Sequence, residues 1–80
     1  GEEFAVIVPN IDGELLQKLA ERIRRAISAL PITSGNVRLA ITTSVGLAIW
    51  DRRETAEKLV ERADKMLYEA KRLGRNRVCA

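Results

Sequence analysis

Between Val37 and Trp50 the chain alternates in character from one residue to the next. Val37, Leu39, Ile41, Val45, Leu47 and Ile49 are bulky and apolar, while Ala40, Thr42, Ser44, Gly46 and Ala48 are small. Successive side chains of a strand point to opposite faces, so the run predicts one long strand with a bulky face and a small-residue face. A face of small residues is one that another element, or a ligand, approaches closely.

The flanking segments read as helices. From Gly13 to Leu30, the residues Leu15, Leu16, Leu19, Ile23, Ala26, Ile27 and Leu30 recur at helical spacing. Asp12 is placed to cap this helix, Glu14 to favour its first turn, and Pro31 to end it. Glu14 with Lys18 and Glu21 with Arg25 are spaced to pair along the polar face. Thr33–Asn36 reads as a turn. From Thr55 to Leu73 a second apolar stripe contains Ala56, Leu59, Val60, Ala63, Met66, Leu67 and Ala70. Thr55 is its cap, and Gly74 stands where a left-handed residue closes a helix. A short β-branched run, Phe4–Val8, precedes the first helix, and Arg77–Ala80 follows the second. Both read as strands, giving the order βαβαβ.

Composition limits the function classes. Fourteen Lys and Arg face eleven Asp and Glu in 80 residues. That excess is too small for a nucleic-acid-binding domain but suits an anionic small ligand. Cys79 is the single cysteine and there is no His, so an intrachain disulfide and a zinc site are both excluded. A reducing cytoplasm is the simplest setting. Any metal would be held by carboxylates, which favours a hard ion such as Mg²⁺. No apolar run approaches the roughly 20 residues of a membrane span, and no signal-peptide pattern is present.

Two groups of residues could carry chemistry. Glu2 and Glu3 follow Gly1, which permits the backbone turn needed to bring two adjacent carboxylates onto one ion. The residues alone favour a solvated acidic chain end. Lys71 and Arg75 flank Gly74 and could grip phosphate oxygens, the lysine as a point charge and the arginine as a fork. The residues alone favour cations placed at the negative end of a helix dipole. Arg22, Arg24 and Arg25 form a further basic group, which a solvated helix face also explains.

Gly1-Glu2-Glu3-Phe4 and the apolar run after it resemble the GG(D/E)EF signature of diguanylate cyclases and its following strand. Ala20-Glu21-Arg22-Ile23-Arg24 is similar to that family's next helix, and Thr43-Ser44-Val45-Gly46 to its central strand. The stretch from Ala63 to Asn76, with Tyr68-Glu69-Ala70-Lys71 and Gly74-Arg75-Asn76, is similar to the family's C-terminal stretch. The resemblance runs through all 80 residues in order.

It implies an α+β, two-layer architecture: a βαβαβ part of a ferredoxin-like, nucleotide-cyclase palm fold with a mainly antiparallel sheet. It implies that residues 1–80 are the C-terminal half of one GGDEF domain, beginning at the second Gly of the signature. On that alignment the first signature Gly, the strand pairing across the signature hairpin, a further metal-binding Asp, the guanine-recognising residues and an inhibitory RxxD motif lie upstream. Gly1 matches a backbone position beside substrate, Glu2 a metal ligand that supports catalysis, and Glu3 a second metal ligand. Lys71 and Arg75 match residues that hold the triphosphate, and Arg22 a contact to inhibitory cyclic di-GMP. The implied reaction joins two GTP molecules into cyclic di-GMP with Mg²⁺, one GTP in each of two facing domains. The same residues would serve a degenerate domain that only senses GTP or cyclic di-GMP. The 80 residues alone are expected to be inactive and to associate as a homodimer or strand-exchanged oligomer.

Overall fold

A computed structural model describes Val8 and residues 11–80 of the chain. The strand predicted at Phe4–Val8 and the acidic turn Gly1–Glu3 therefore lie outside the described residues, except for Val8.

Helix α1 spans Gly13–Ser28. Asp12 holds an extended backbone, and its side chain accepts the Leu15 amide at 2.8 Å, satisfying a donor that a helix start otherwise leaves open. The helix stops two residues before the predicted Leu30. Leu30 precedes Pro31, whose ring disfavours helical backbone at the residue before it. The chain closes instead through the Ala29 and Leu30 amides on the carbonyls of Arg25 and Ile27, each at 3.1 Å. Both predicted ion pairs form, Lys18 with Glu14 at 3.4 Å and Arg25 with Glu21 at 3.1 Å.

The buried line of α1 differs from the predicted stripe. Leu15, Leu19 and Ile23 are exposed, whereas Ala20 is buried and Leu16 and Ile27 are half-buried. Leu16, Ala20, Arg24 and Ile27 thus share the inward line, with an arginine standing where periodicity wants a hydrophobe. Apolar spacing defines a broad stripe, and only the neighbouring elements decide which edge of it is covered.

The predicted long strand is two short ones. Strand β1, Ile32–Ser34, and strand β2, Val37–Leu39, form an antiparallel hairpin, with Ser34 opposite Val37. The turn is Gly35-Asn36, narrower than the predicted Thr33–Asn36, and Gly35 supplies its positive φ of 62°. Strand β3 is Val45–Gly46 and pairs in parallel with β4, Val78–Cys79. The Val45 and Leu47 amides donate to the carbonyls of Arg77 and Cys79, each at 2.9 Å. Alternation records which way side chains face; a ladder also needs a neighbour, and residues 40–44 have no ladder partner among the described residues. Among the described residues the strands form one antiparallel and one parallel pair. The α+β class holds.

Helix α2, Ala56–Arg72, is capped by Thr55, whose hydroxyl accepts the Lys58 amide at 3.2 Å. It lies against β3 so closely that a Cβ on Gly46 would overlap the Leu67 amide nitrogen and the Ala63 carbonyl, and sit 2.7 Å from the Leu67 Cα. The small-residue face is where this helix packs. The segment into α2 is pinned from both sides. Asp51 accepts the amides of Arg53 and Glu54 at 2.8 and 2.9 Å, which lets Arg52 adopt a φ of 72°. Arg62 pairs with Glu54 and donates to the Ile49 carbonyl at 2.5 Å, while the Trp50 indole donates to the Glu54 carbonyl at 2.9 Å.

Candidate functional site

The C-terminal end of α2 is a tight turn rich in basic residues. Lys71 and Arg72 occupy the last helical turn and Leu73 is the C-cap. Gly74, with φ 120°, is the first residue beyond it. Its amide reaches back to the Lys71 carbonyl at 3.4 Å, and the Arg75 amide to the Ala70 carbonyl at 2.9 Å. These two bonds are a Schellman closure, which reverses the chain direction sharply. Gly74 is required for its backbone, since side-chain-bearing residues rarely adopt a φ of 120°; an added Cβ would meet only the flexible tip of Arg77, at 3.0 Å.

The two residues after Gly74 are also left-handed. Arg75 has φ 64° and Asn76 φ 48°. Asparagine tolerates this region, but arginine does so at a cost. Strain of this kind persists where the surroundings over-determine the backbone, and here they do. The Asn76 amide donates to the Ser44 hydroxyl at 3.2 Å, and its side-chain oxygen accepts from Arg24 Nη1 at 2.6 Å. The Arg75 carbonyl accepts from Arg77 Nε at 3.1 Å. Lys71 and Arg72 in the last turn of α2 and Arg75 and Arg77 just beyond it put four cations on this one corner of the chain. Glu69 offsets Arg72 through an ion pair of 2.7 Å.

Of the residues proposed from sequence, the structure brings Lys71 and Arg75 to this corner. Arg22 lies exposed on α1. Two helical positions separate it from Arg24, or about 200° around the axis, so it projects away from the Asn76 turn. Gly1, Glu2 and Glu3 lie outside the described residues. Among the described residues no group of three or more His, Cys, Asp or Glu is arranged to hold a metal ion. No helix there is long and apolar enough to cross a membrane. A cleft of about 400 Å³ runs between the start of α1, the β3 segment and α2, lined by Leu16, Leu47, Ile49 and Met66 among others. It contains none of the proposed site residues.

The sequence reading missed the support of this corner. Arg24 grips Glu21 as a two-toothed fork, Nε to Oε2 at 2.9 Å and Nη2 to Oε1 at 2.5 Å. Spacing could have revealed that i,i+3 pair. Nothing local could have revealed its reach to Asn76, 52 residues along the chain. The Arg24 hydrogen bonds, against a smaller desolvation effect and with help from Arg25, lower the Glu21 carboxyl from its ordinary 4.5 to about 2. A depressed carboxyl stabilises the fold above its unfolded value, and that stabilisation is lost as pH falls from about 4.5 through about 2. Titration of the Glu21 carboxyl carbon by NMR is expected to show its midpoint near 2, rising towards 4.5 in Arg24→Gln. A midpoint near 4.5 in the unsubstituted chain would show that the fork does not persist in solution.

The sequence and the fold together define a class. The family model described as "Diguanylate cyclase, GGDEF domain" matches residues 1–77, and the chain belongs to the GGDEF domain family. Over 98% of its length the chain is 44% identical to diguanylate cyclase DgcP of Pseudomonas aeruginosa, spanning 12% of that protein. It is 40% identical to diguanylate cyclase A of Treponema denticola, again over 98% of the chain and 21% of the relative. The fold matches the crystal structure of the GGDEF domain of DgcB from Caulobacter crescentus in complex with c-di-GMP, with TM-score 0.87 and 36% identity. That match covers 91% of this chain and 44% of the solved one. The chain thus spans a quarter or less of these curated relatives.

Proposed function

We propose that the protein carrying this chain is a diguanylate cyclase that condenses two GTP molecules into cyclic di-GMP. The observation that supports this best is the strained, braced turn at Gly74–Asn76 in a chain of this family, which offers Lys71 and Arg75 from one corner. Lys71 and Arg75 hold the β- and γ-phosphates. The 3′-hydroxyl of one GTP gives up its proton to solvent as its oxygen bonds to the α-phosphorus of the other, and the bond from that phosphorus to the β-bridging oxygen breaks. Pyrophosphate leaves, and a leaving group fixed by two cations departs in line. Gly1 lets substrate approach the backbone.

Glu2 and Glu3 are the residues that would hold Mg²⁺, as the chemistry of two adjacent carboxylates suits a hard cation. Bound there, Mg²⁺ supplies neutralisation of phosphate charge and a lowered hydroxyl pKa. Each GTP supplies one 3′-oxygen and one α-phosphorus, so closing the ring repeats the step in the opposite direction and releases a second pyrophosphate; two domains therefore face each other in the active assembly. Arg22, turned away from the triphosphate corner, is assigned to a contact with the product. A supply of GTP and Mg²⁺ puts this chemistry in the cytoplasm.

Incubating the full protein with GTP and Mg²⁺ and separating products by chromatography tests this reading. Cyclic di-GMP is expected, with a loss of about 100-fold or more in Glu3→Gln. GTP binding without any turnover would sink the cyclase reading and make the domain a nucleotide receptor.

The 80 residues on their own are assigned no cyclase activity. Among the described apolar residues only Ala20 and Ala70 are buried, while Leu15, Leu19, Ile23, Leu39 and Ile41 are exposed. So much uncovered apolar surface favours self-association. Light scattering at micromolar concentration is expected to give a mass above that of one chain. A strictly monomeric mass with a cooperative melt would contradict this.

A further inference from the structure

We propose that Arg24 is a positioning residue that sets the triphosphate grip from the opposite helix, by locking the left-handed turn that presents Arg75. This rests on the reading of Arg75 as a phosphate ligand.

The case begins with the place of Arg24 in the fold. It stands on the inward line of α1 with Leu16, Ala20 and Ile27, and its side chain is only 17% exposed. Withdrawing a guanidinium from water is costly unless its donors are satisfied. Glu21 satisfies two of them, at 2.9 and 2.5 Å. That grip also fixes the plane of the guanidinium, leaving Nη1 aimed at Asn76 Oδ1 at 2.6 Å. A lysine could pair with Glu21 or reach Asn76, but it has no rigid fork with which to do both.

Asn76 carries this restraint to the site. It follows Arg75 directly, and both are left-handed. Its amide is held by Ser44 at 3.2 Å, just before β3, while its side chain is held from α1. The turn is therefore clamped by two elements outside α2. Lys71 lies within α2, whereas Arg75 lies past the helix end; its own amide and carbonyl are held by Ala70 and Arg77, and the far side of its turn is held through Asn76. Release of Asn76 would let Arg75 relax to ordinary backbone angles and swing its guanidinium away from Lys71. Glu21 and Arg24 thus tie substrate grip to the packing of α1.

The test uses the full protein and inorganic tripolyphosphate, which lacks the base and reads the phosphate grip alone. Arg24→Gln is expected to speed amide hydrogen exchange at residue 76 about tenfold and to weaken tripolyphosphate binding, measured by calorimetry, about tenfold. Asn76→Gly, which removes the side-chain oxygen yet keeps the left-handed backbone accessible, is expected to weaken binding by the same factor. If the two act through one another, the double variant is no weaker than either alone. Arg24→Lys is expected to behave like Arg24→Gln, although it retains the charge. A purely structural role would lower the melting temperature without producing this non-additive loss of affinity.

Unchanged exchange at residue 76 in Arg24→Gln would overturn the proposal, as would losses that multiply in the double variant. Arg75→Ala with unaltered tripolyphosphate affinity would sink the phosphate reading of Arg75 instead. In that case the Arg24–Asn76 clamp is still decided by the exchange measurement.

Discussion

Gly46→Ala is expected to lower the stability of the domain by about 3 kcal/mol or more, towards the upper end for overpacked interiors. The reason is the nature of the atoms in the way. The new methyl would overlap the Leu67 amide nitrogen and the Ala63 carbonyl, and lie 2.7 Å from the Leu67 Cα. A crowded side-chain tip can rotate aside, but these are backbone atoms inside the hydrogen-bonded ladder of α2. Relief requires the helix to move off β3, and the parallel β3–β4 pair would lose its cover. Gly35→Ala is the control. Gly35 has φ 62° with nothing within 4 Å of an added Cβ, so only backbone strain is added, about 1 kcal/mol. Urea unfolding of both variants decides the matter. A Gly46→Ala loss no larger than that of Gly35→Ala would mean that α2 is not seated on β3 as described.

Removing the cations at the end of α2 is expected to have the largest effect on activity. Lys71→Ala and Arg75→Ala should each lower kcat/KM for GTP by about 100-fold, the scale seen when a preorganised donor to a transferring group is deleted. Arg75→Gly is the more telling substitution. It deletes the guanidinium and also relieves an arginine held at φ 64°, so stability is expected to stay level or rise while activity falls. Steady-state kinetics beside a thermal melt would show this split. A decrease in kcat/KM of less than about threefold for both alanine variants would contradict a phosphate role for this corner.

The strain at Arg75 also bears on the Glu21–Arg24 pair. A helix whose inward line contains an arginine gives up apolar burial at that position. What it gains is a rigid link to a turn in which Arg75 and Asn76 are both left-handed. Acid that protonates Glu21 removes one side of the fork, so the pH at which this carboxyl titrates, about 2, also limits the range in which the turn is clamped.

Much of the fold was legible in the chain because its determinants are local. Asp12, Thr55 and Gly74 cap and close the two helices as their chemistry demands, since a cap needs only donors and acceptors a few residues apart. The i,i+4 pairs of α1 formed for the same reason. The small-residue face correctly announced close packing, and Gly46 is where the helix arrives. The motifs around Lys71 and Arg75 pointed to the family, and the two residues lie at the end of α2, one in its last turn and one just past it. The acidic pair Glu2-Glu3 remains a proposal from motif and chemistry, outside the described residues.

Tertiary structure decided the rest. The alternating run from Val37 to Trp50 became a hairpin and a separate parallel pair, because a ladder depends on which partner lies alongside and alternation is silent about that. The covered edge of α1 fell on Leu16, Ala20, Arg24 and Ile27 instead of Leu15, Leu19 and Ile23, since a broad apolar stripe allows more than one seating. The left-handed backbone at Arg75 and Asn76 could not be read from arginine and asparagine themselves. It exists because Ser44 and Arg24, brought from far along the chain, hold Asn76 by its amide and its side chain. Sequence determined the caps, the helix-closing Gly74 and the family motifs on which the phosphate proposal rests; long-range hydrogen bonds, which repay backbone strain only once the elements have met, decided the backbone of the turn that contains Arg75.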